Sequence, residues 1–197
     1  MRHLSLIRSF HFADFLTLAN GGCGTAAILL AIAHVRSGAH EPLFLATALV
    51  VAALVFDVLD GRVARWRHQQ SAFGRELDSL ADIVSFGAAP AAIAFAAGLD
   101  TGCDAVILVF FALCGLSRLA RFNVTAEGLT TGEGKVAYFE GTPIPTSVVP
   151  LLLLIAAYVS GDLWPVQVGT VDFHLLALPF AVSGCLMVSR TVRIPKP

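Results

Sequence analysis

The sequence predicts an all-α integral membrane protein with six transmembrane helices, a short amino-terminal interfacial helix and both termini in the cytoplasm. Hydrophobic residues make up 56% of the 197-residue chain and charged residues only 14%, whereas soluble domains carry about 25% charged residues. The apolar residues also fall in stretches long enough to cross a bilayer, which takes about 20 residues. No linker rich in glycine, serine or proline divides the chain, so we expect a single membrane domain over residues 1–197.

Six apolar stretches are candidate spans, and short polar segments separate them. Ahead of the first span, Leu4, Ile7 and Phe10 recur at helical spacing with arginines among them, which is typical of a helix lying at the membrane surface. This interfacial arm covers residues 1–12, with a frayed tail as the alternative. The predicted spans are 14–34, 43–60, 77–98, 104–122, 143–160 and 172–190.

The basic residues set the predicted orientation. If both termini share one side, all of the 13 lysines and arginines except Arg36 fall on that side. Cytoplasmic loops retain positive charge, so the termini, the 61–76 connection and the 123–142 loop are expected in the cytoplasm. We read no targeting signal in the sequence and therefore expect a bacterial inner membrane, with the endoplasmic reticulum as the alternative.

Four aspartates interrupt the second and third spans at fixed spacing. Asp57 and Asp60 stand three residues apart, and Asp78 and Asp82 stand four apart, so each pair shares one helix face. The short 61–76 connection keeps these helix ends together. Four converging carboxylates favour a hard cation, Mg²⁺ or Mn²⁺, with Ca²⁺ as an alternative, and they could hold two ions about 4 Å apart. Ordinary surface charges at helix ends are the other interpretation.

Small residues accompany the aspartates and complete a recognisable pattern. Gly61 and Ala64 would let a flat ligand approach closely, although helix packing through small residues gives the same spacing. The sequence resembles the signature of the CDP-alcohol phosphatidyltransferase family at every defined position, in the form Asp57-x-x-Asp60-Gly61-x-x-Ala64-Arg65, eight residues, Gly74-x-x-x-Asp78-x-x-x-Asp82. The stretches ADFLTLANG, ELDSLADIVSFGAAPA, CGLSRLARFNV, YFEGTPIPT and IPKP resemble the CDP-diacylglycerol–serine O-phosphatidyltransferases of that family, the fungal ones in particular.

The resemblance implies a function and roles for the signature residues. It implies an enzyme that transfers the phosphatidyl group of CDP-diacylglycerol to the hydroxyl of L-serine, giving phosphatidylserine and CMP, as a homodimer among membrane lipids. Asp57, Asp60 and Asp78 would bind the metal ions, and Asp82 would be both a ligand and the general base. Asn20 in the first span is a further candidate for substrate contact, with an interhelical hydrogen bond as the alternative. The residues implied for the CDP-diacylglycerol site are Asp57, Asp60, Gly61, Ala64, Arg65, Gly74 and Asn20.

The serine site is expected where a fixed cation can meet the carboxylate of the amino acid. Arg118 and Arg121 stand three apart at the end of the fourth span, and simple anchoring by positive charge is the alternative. Ser85 lies close after the last aspartate and could bond substrate or its own helix. The candidate serine-binding residues are Ser85, Arg118, Arg121, Asn123 and Lys135.

Two other functions stay open from the sequence. The same chemistry could serve another alcohol, such as glycerol 3-phosphate or an inositol phosphate, but a phosphate dianion calls for more basic residues around the site. A divalent-cation carrier needs carboxylates near the middle of the bilayer, whereas the four aspartates cluster at one face. The formal net charge of -1 gives no reason to expect nucleic acid as a partner.

Overall fold

The structure is a computed structural model that describes residues 12–66, 72–130, 138–168, 171–189, 191 and 193–195. These residues are mostly helical. A π-helical segment over Ile83–Ala88, called the π segment below, joins α3 to α4, and 3₁₀ turns over Ile144–Ser147 and Leu175–Ala177 lead into α6 and α7. The α-helices are α1 (Phe12–Ser37), α2 (Glu41–Trp66), α3 (Ala72–Asp82), α4 (Ala89–Ala96), α5 (Gly102–Thr130), α6 (Val148–Ser160) and α7 (Leu178–Val188).

The helices have the length and surface of membrane spans. Large apolar side chains such as Leu29, Val106 and Val149 are exposed on their outer faces, where a soluble protein carries polar groups. The chain is therefore an integral membrane protein; the count of six spans and the side on which the termini lie stay predictions. Within the described ranges, four helical stretches are long and apolar enough to cross a membrane, and two more are apolar but shorter. The long ones are Asp14–Ser37, Glu41–Val63, Phe73–Ala96 and Gly102–Val124, and the shorter ones are Ile144–Ser160 and Leu175–Val188.

Several helices run beyond the ends that the apolar stretches predict. α2 continues to Trp66 and α3 begins at Ala72, so Gly61 and Gly74 lie inside helices and the expected 61–76 connection is much shorter. α5 likewise continues to Thr130 rather than ending near 122. Apolar side chains indicate which part of a helix contacts lipid. The backbone hydrogen bonds of the helix can continue beyond that part, so the helix ends lie outside the apolar stretch. The expected interfacial arm over residues 1–12 lies outside the described residues except for Phe12.

The described residues are mostly helical, as expected, and the structure adds short strands that form two antiparallel pairs. One pair joins chain segments far apart in sequence, with Phe139 opposite Ile194. The other is a hairpin with Val166 opposite Phe173, where β-branched and aromatic residues favour extended backbone. The strands are β1 (Tyr138–Glu140), β2 (Pro165–Val168), β3 (Val171–His174) and β4 (Arg193–Pro195).

The core is shared by α1, α2, the π segment, α4, α5, α6 and α7. Phe86 of the π segment, Phe111 of α5 and Phe180 of α7 are all fully buried. The rings of Phe111 and Phe180 meet edge to face, with centroids 5.4 Å apart, a favourable aromatic geometry. α1 packs along α2 and also against α3, the π segment and α4, so it touches both halves of the aspartate motif.

The start of α5 is fastened to the β2–β3 hairpin by a buried carboxylate. The Asp104 amide donates to Thr101 Oγ1 at 3.2 Å, and Asp104 Oδ2 accepts from the Thr101 amide at 3.3 Å, which is the reciprocal pattern of a capping box. The same carboxylate accepts a hydrogen bond from the His174 amide at 2.9 Å and contacts its Nδ1 at 2.6 Å. This end of the bundle is thus held by polar contacts, separate from the aspartate motif.

Candidate metal centre and substrate site

Three of the four predicted aspartates converge where α2 meets α3. Asp57 and Asp60 come from α2 and Asp78 from α3, and one carboxylate oxygen of each lies within 4.8 Å of the others. Asp60 is buried, and the other two are half-buried. Among the described residues, this is the group of histidine, cysteine and acidic side chains whose geometry could hold a metal ion. The spacing of three residues in α2 and the short connection to α3 produce this convergence.

The carboxylates of this trio suit a hard cation. Asp78 Oδ1 is buried, and no described residue gives it a hydrogen bond, a costly condition for a carboxylate oxygen unless a cation compensates it. Three carboxylates so close together also repel one another, and all-oxygen ligation is what Mg²⁺, Mn²⁺ and Ca²⁺ prefer. A divalent ion therefore fits the residues present, and its identity stays a prediction.

Asp82 is not one of the three converging aspartates, although it interacts electrostatically with each of them, and it is held by the first helix. Its Oδ1 accepts a hydrogen bond from Asn20 Nδ2 at 3.0 Å, and both side chains are buried. The Ser85 hydroxyl donates to the backbone carbonyl of Asn20 at 2.9 Å. Ser85 is thus engaged with α1 and fully buried, which leaves it less available to a substrate than the sequence suggests.

Thr17, which was not among the predicted site residues, contacts Asp60 at the other end of the motif. Its hydroxyl donates to Asp60 Oδ2 at 2.8 Å, and both groups are buried. Thr17 stands three residues before Asn20, so the two side chains share one face of α1. The spacing of three residues between Thr17 and Asn20 is visible in the sequence. It indicates a site residue only when the position of α1 against α2 and α3 is known.

The two candidate arginines have different surroundings. Arg118 is half-buried and interacts electrostatically with Asp57, Asp78 and Asp82, and its guanidinium carbon lies 5.6 Å from the centroid of the Phe122 ring. Arg121 instead donates from Nη2 to the backbone carbonyl of residue 188, at the end of α7, at 3.3 Å. Of these two arginines, Arg118 is therefore the one with a described interaction with the aspartates.

The remaining predicted residues fall into two groups. Asn123 bridges α3 and α5, since its Nδ2 lies 3.2 Å from both carboxylate oxygens of Glu76 and its Oδ1 accepts from Ser79 at 3.1 Å. Gly61 has open space beside it, because an added Cβ would meet nothing within 4 Å. Gly74 lies half-buried in the first turn of α3. The backbones of Ala64 and Arg65 belong to α2, but their side chains lie outside the described part of the chain, as does Lys135.

This arrangement of carboxylates can be compared with known proteins. A family model described as CDP-alcohol phosphatidyltransferase matches residues 10–186. The chain belongs to the CDP-alcohol phosphatidyltransferase family. That membership confirms the resemblance drawn from the signature between Asp57 and Asp82, and the matched region begins before α1 and ends within α7.

Several relatives within the CDP-alcohol phosphatidyltransferase family carry names that mention serine. The chain is 44% identical to the CDP-diacylglycerol–serine O-phosphatidyltransferase of Saccharomyces cerevisiae, across 99% of this chain and 74% of that protein. It is 30% identical to the protein of the same name from Methanocaldococcus jannaschii, across 93% of this chain and 86% of that one. The archaetidylserine synthase of Methanothermobacter thermautotrophicus is 39% identical across 70% of this chain and 54% of its own length.

Proposed function

We propose that this chain transfers the phosphatidyl group of CDP-diacylglycerol to the hydroxyl of L-serine, giving phosphatidylserine and CMP. The observation that carries this proposal is the trio of aspartate oxygens within 4.8 Å of one another, in a chain of this family. The serine acceptor is supported by the 44% identity to a yeast protein named for that reaction. The apolar helices suit a lipid substrate whose acyl chains stay in the bilayer while its nucleotide reaches the aspartates.

Asp57, Asp60 and Asp78 would hold the divalent metal that we expect here. When bound, the ion would supply Lewis-acid stabilisation of the charge that develops on the pyrophosphate oxygens. Asp60 and Asp57 come from one helix and Asp78 from another, so the ligand set depends on the packing of α2 against α3. Mg²⁺ and Mn²⁺ are the preferred ions for such a set of oxygens.

Asp82 is the residue that we assign as general base. It would take the proton of the serine hydroxyl as the serine oxygen attacks the phosphorus that carries diacylglycerol. The bond between that phosphorus and the oxygen bridging to the second phosphate then breaks, and CMP leaves with the bridging oxygen. Asp82 is not one of the three aspartates whose oxygens converge, which favours it over them as the proton acceptor. An additional role of Asp82 as a metal ligand stays part of the proposal.

The nucleotide is expected beside the amino-terminal half of the signature. The open space at Gly61 supports close approach of a flat group or a phosphate to α2. Ala64, Arg65 and Gly74 are assigned to the CDP-diacylglycerol site from the family signature, with the Arg65 guanidinium meeting phosphate charge. Asn20 would border the same space, since it contacts the last aspartate of the signature.

Arg118 is the cation that we assign to the serine carboxylate. It faces the aspartates electrostatically, whereas Arg121 is engaged with the end of α7. Asn123 and Ser85 make other contacts, so we give them supporting roles at most. Lys135 stays a candidate from the sequence.

We also propose that the site opens to the cytoplasm, in a homodimer whose spans number six. The asymmetry of basic residues supports the orientation. A bacterial inner membrane remains the favoured location.

An acceptor screen tests the proposed function. Purified protein is mixed with CDP-diacylglycerol and Mn²⁺ or Mg²⁺, and CMP release is measured with L-serine, ethanolamine, glycerol 3-phosphate, inositol and inositol phosphate. We expect metal-dependent CMP release with L-serine and phosphatidylserine as the lipid product. A preference for a phosphorylated alcohol would contradict the acceptor, and divalent-ion flux into proteoliposomes without CMP release would support the carrier instead.

A pair of arginine variants tests the acceptor pocket. Losing the partner of a desolvated carboxylate costs about 2–5 kcal/mol, so Arg118→Ala should raise the serine KM by about 30-fold or more. Arg121→Ala is the matched control, and we expect a smaller change in serine KM. Ethanolamine, which lacks the carboxylate, should gain relative to serine in Arg118→Ala. An unchanged serine KM in Arg118→Ala would move the carboxylate partner elsewhere.

A further inference from the structure

Two polar residues of α1 each donate a hydrogen bond to a buried aspartate of the signature. Thr17 Oγ1 donates to Asp60 Oδ2 at 2.8 Å, and Asn20 Nδ2 donates to Asp82 Oδ1 at 3.0 Å. Thr17 is 4% exposed, Asn20 is 0% exposed, and Asp60 and Asp82 are each 6% exposed. Because water has little access to them, these contacts decide how each carboxylate is oriented.

Each of these hydrogen bonds is accepted by one oxygen of its carboxylate. A carboxylate that is ionised accepts hydrogen bonds only, so Asn20 must present its amide nitrogen to Asp82. Its Oδ1 is consequently left buried without a partner among the described residues. A buried oxygen without a hydrogen-bond partner is unfavourable, and helix packing alone does not require one here. This supports a role for Asn20 in orienting the Asp82 carboxylate.

The backbone around Asn20 is itself held in place. Ser85 donates to the Asn20 carbonyl, and Gly24 lets the π segment approach α1 so closely that an added Cβ would lie 2.6 Å from Ser85 Cα. Asp82 therefore rests on a rigid support formed by α1 and the π segment. Asp60, in contrast, belongs to the trio whose oxygens lie within 4.8 Å, so the Thr17 contact bears on the metal ligands.

We infer that α1 is part of the catalytic centre, with Thr17 as the positioning residue for the metal ligand Asp60 and Asn20 as the positioning residue for the base Asp82. This inference rests on the proposed function for the role of Asp82, while the Thr17 half rests on the metal centre alone. Hydrogen-bond partners of metal ligands typically account for 10- to 100-fold in metal affinity or activity. The two residues should therefore affect different measurements.

Mn²⁺ binding and steady-state kinetics separate the two roles. Thr17→Val keeps the shape of the side chain and removes the donor, so Mn²⁺ affinity, measured by electron paramagnetic resonance without substrate, should fall about 10- to 100-fold. Thr17→Ser returns the hydroxyl and should restore Mn²⁺ binding. The matched control is Thr47→Val, because Thr47 is also buried but its hydroxyl bonds only the Leu43 carbonyl of its own helix.

Asn20→Leu should lower Mn²⁺ affinity less than Thr17→Val does, because Asp82 is not one of the three converging aspartates, but it should lower kcat by about 10²-fold or more, as expected when a general base loses its position. The KM for CDP-diacylglycerol should change less than kcat, although Asn20 is also expected to border the nucleotide. Equal Mn²⁺ affinity in Thr17→Val and Thr47→Val would overturn the role of Thr17. A normal kcat in a folded Asn20→Leu, or a loss confined to KM, would overturn the role of Asn20.

These results are distinguishable from failure of the proposed function. If the wild-type protein releases no CMP with any acceptor, the proposed reaction is wrong and the base role of Asp82 falls with it, so the Asn20 assignment is overturned as well. The comparison of Mn²⁺ binding between Thr17→Val and Thr47→Val still decides whether α1 positions the metal ligands.

Discussion

Gly24→Ala is a sharp test of the contact between α1 and the π segment. The added Cβ would lie 2.6 Å from Ser85 Cα and 2.9 Å from the Ser85 amide nitrogen, and it would also collide with Ser85 Oγ. Two of these neighbours are backbone atoms, so a change of side-chain rotamer cannot relieve the clash. α1 and the π segment must move apart.

The size of that movement follows from the contact distances. An ordinary van der Waals contact begins near 3.4 Å, so a Cβ placed 2.6 Å from Ser85 Cα requires a separation of about 0.8 Å. If Asp82 moves with the π segment, the Asn20–Asp82 hydrogen bond lengthens from 3.0 Å towards about 3.8 Å, which is beyond hydrogen-bonding distance. The carboxylate would lose its support without any change to a signature residue.

Both stability and turnover should respond. Overpacking costs about 1–3 kcal/mol, and for a chain of this size about 1 kcal/mol lowers Tm by about 2–4 °C. A misplacement near 1 Å can reduce turnover by about 10²-fold. We therefore expect Gly24→Ala to lower the Tm in detergent by about 4–8 °C, for a cost of about 2 kcal/mol, and to lower kcat more strongly than KM.

Gly22→Ala is the matched control on the same helix. A Cβ at Gly22 would meet nothing within 4 Å, and replacing glycine by alanine inside a helix stabilises it by about 0.5–1 kcal/mol. Its Tm should stay level or rise, with normal turnover. If Gly24→Ala behaves like Gly22→Ala in both thermal unfolding and kcat, the close approach of α1 to the π segment is wrong.

Three further predictions concern the metal, the far end of the bundle and the topology. Asp78→Asn should abolish Mn²⁺ binding and CMP release with the fold retained, because the trio loses a charged ligand. Asp100→Asn, at an exposed position, is the control and should keep both. Retained Mn²⁺ binding by Asp78→Asn in a metal titration would refute the trio as the metal site. Asp104→Asn should lower the free energy of unfolding by about 1–3 kcal/mol through its contacts with the hairpin but leave kcat unchanged, and an inactive variant of normal Tm would contradict that separation. In a cysteine-free background, a thiol reagent should label Arg62→Cys only from the cytoplasmic side and Asp162→Cys only from the other, and labelling from one common side would disprove the orientation.

Much of the helical fold could be predicted from the chain, and the helix ends could not. Apolar stretches of about 20 residues predict helices because a bilayer demands satisfied backbone hydrogen bonds. The same stretches stop where lipid stops, and α2 continues past that point to Trp66. The β1–β4 pair joins residues about 55 positions apart, so no local sequence pattern predicts this pairing.

The convergence of the aspartates was easier to predict from the sequence than the contacts of the residues that surround them. Spacings of three and four residues put carboxylates on one helix face whatever the tertiary structure, and Asp57, Asp60 and Asp78 do converge. The partners of Thr17 and Asn20 depend on how α1 crosses α2 and α3, which periodicity does not specify. Arg118 and Arg121 lie one turn apart on α5 and cannot be distinguished by residue type. Choosing between them as the partner of the serine carboxylate required the position of α7, which Arg121 contacts.

The π segment shifts the angular phase of α4 relative to that of α3 by a fixed amount. An α-helix turns about 100° per residue, so in an unbroken helix the direction of Asp82 would dictate the direction of every later side chain. The wider turns over Ile83–Ala88 shift that phase, and π-bulges often occur at functional sites. α4 can consequently aim Ala89 and Ile93 into the core while α3 aims its carboxylates at the site. A one-residue deletion within 83–88 would remove part of that offset, so the core-facing side chains of α4 and the carboxylates of α3 could no longer both keep their present directions.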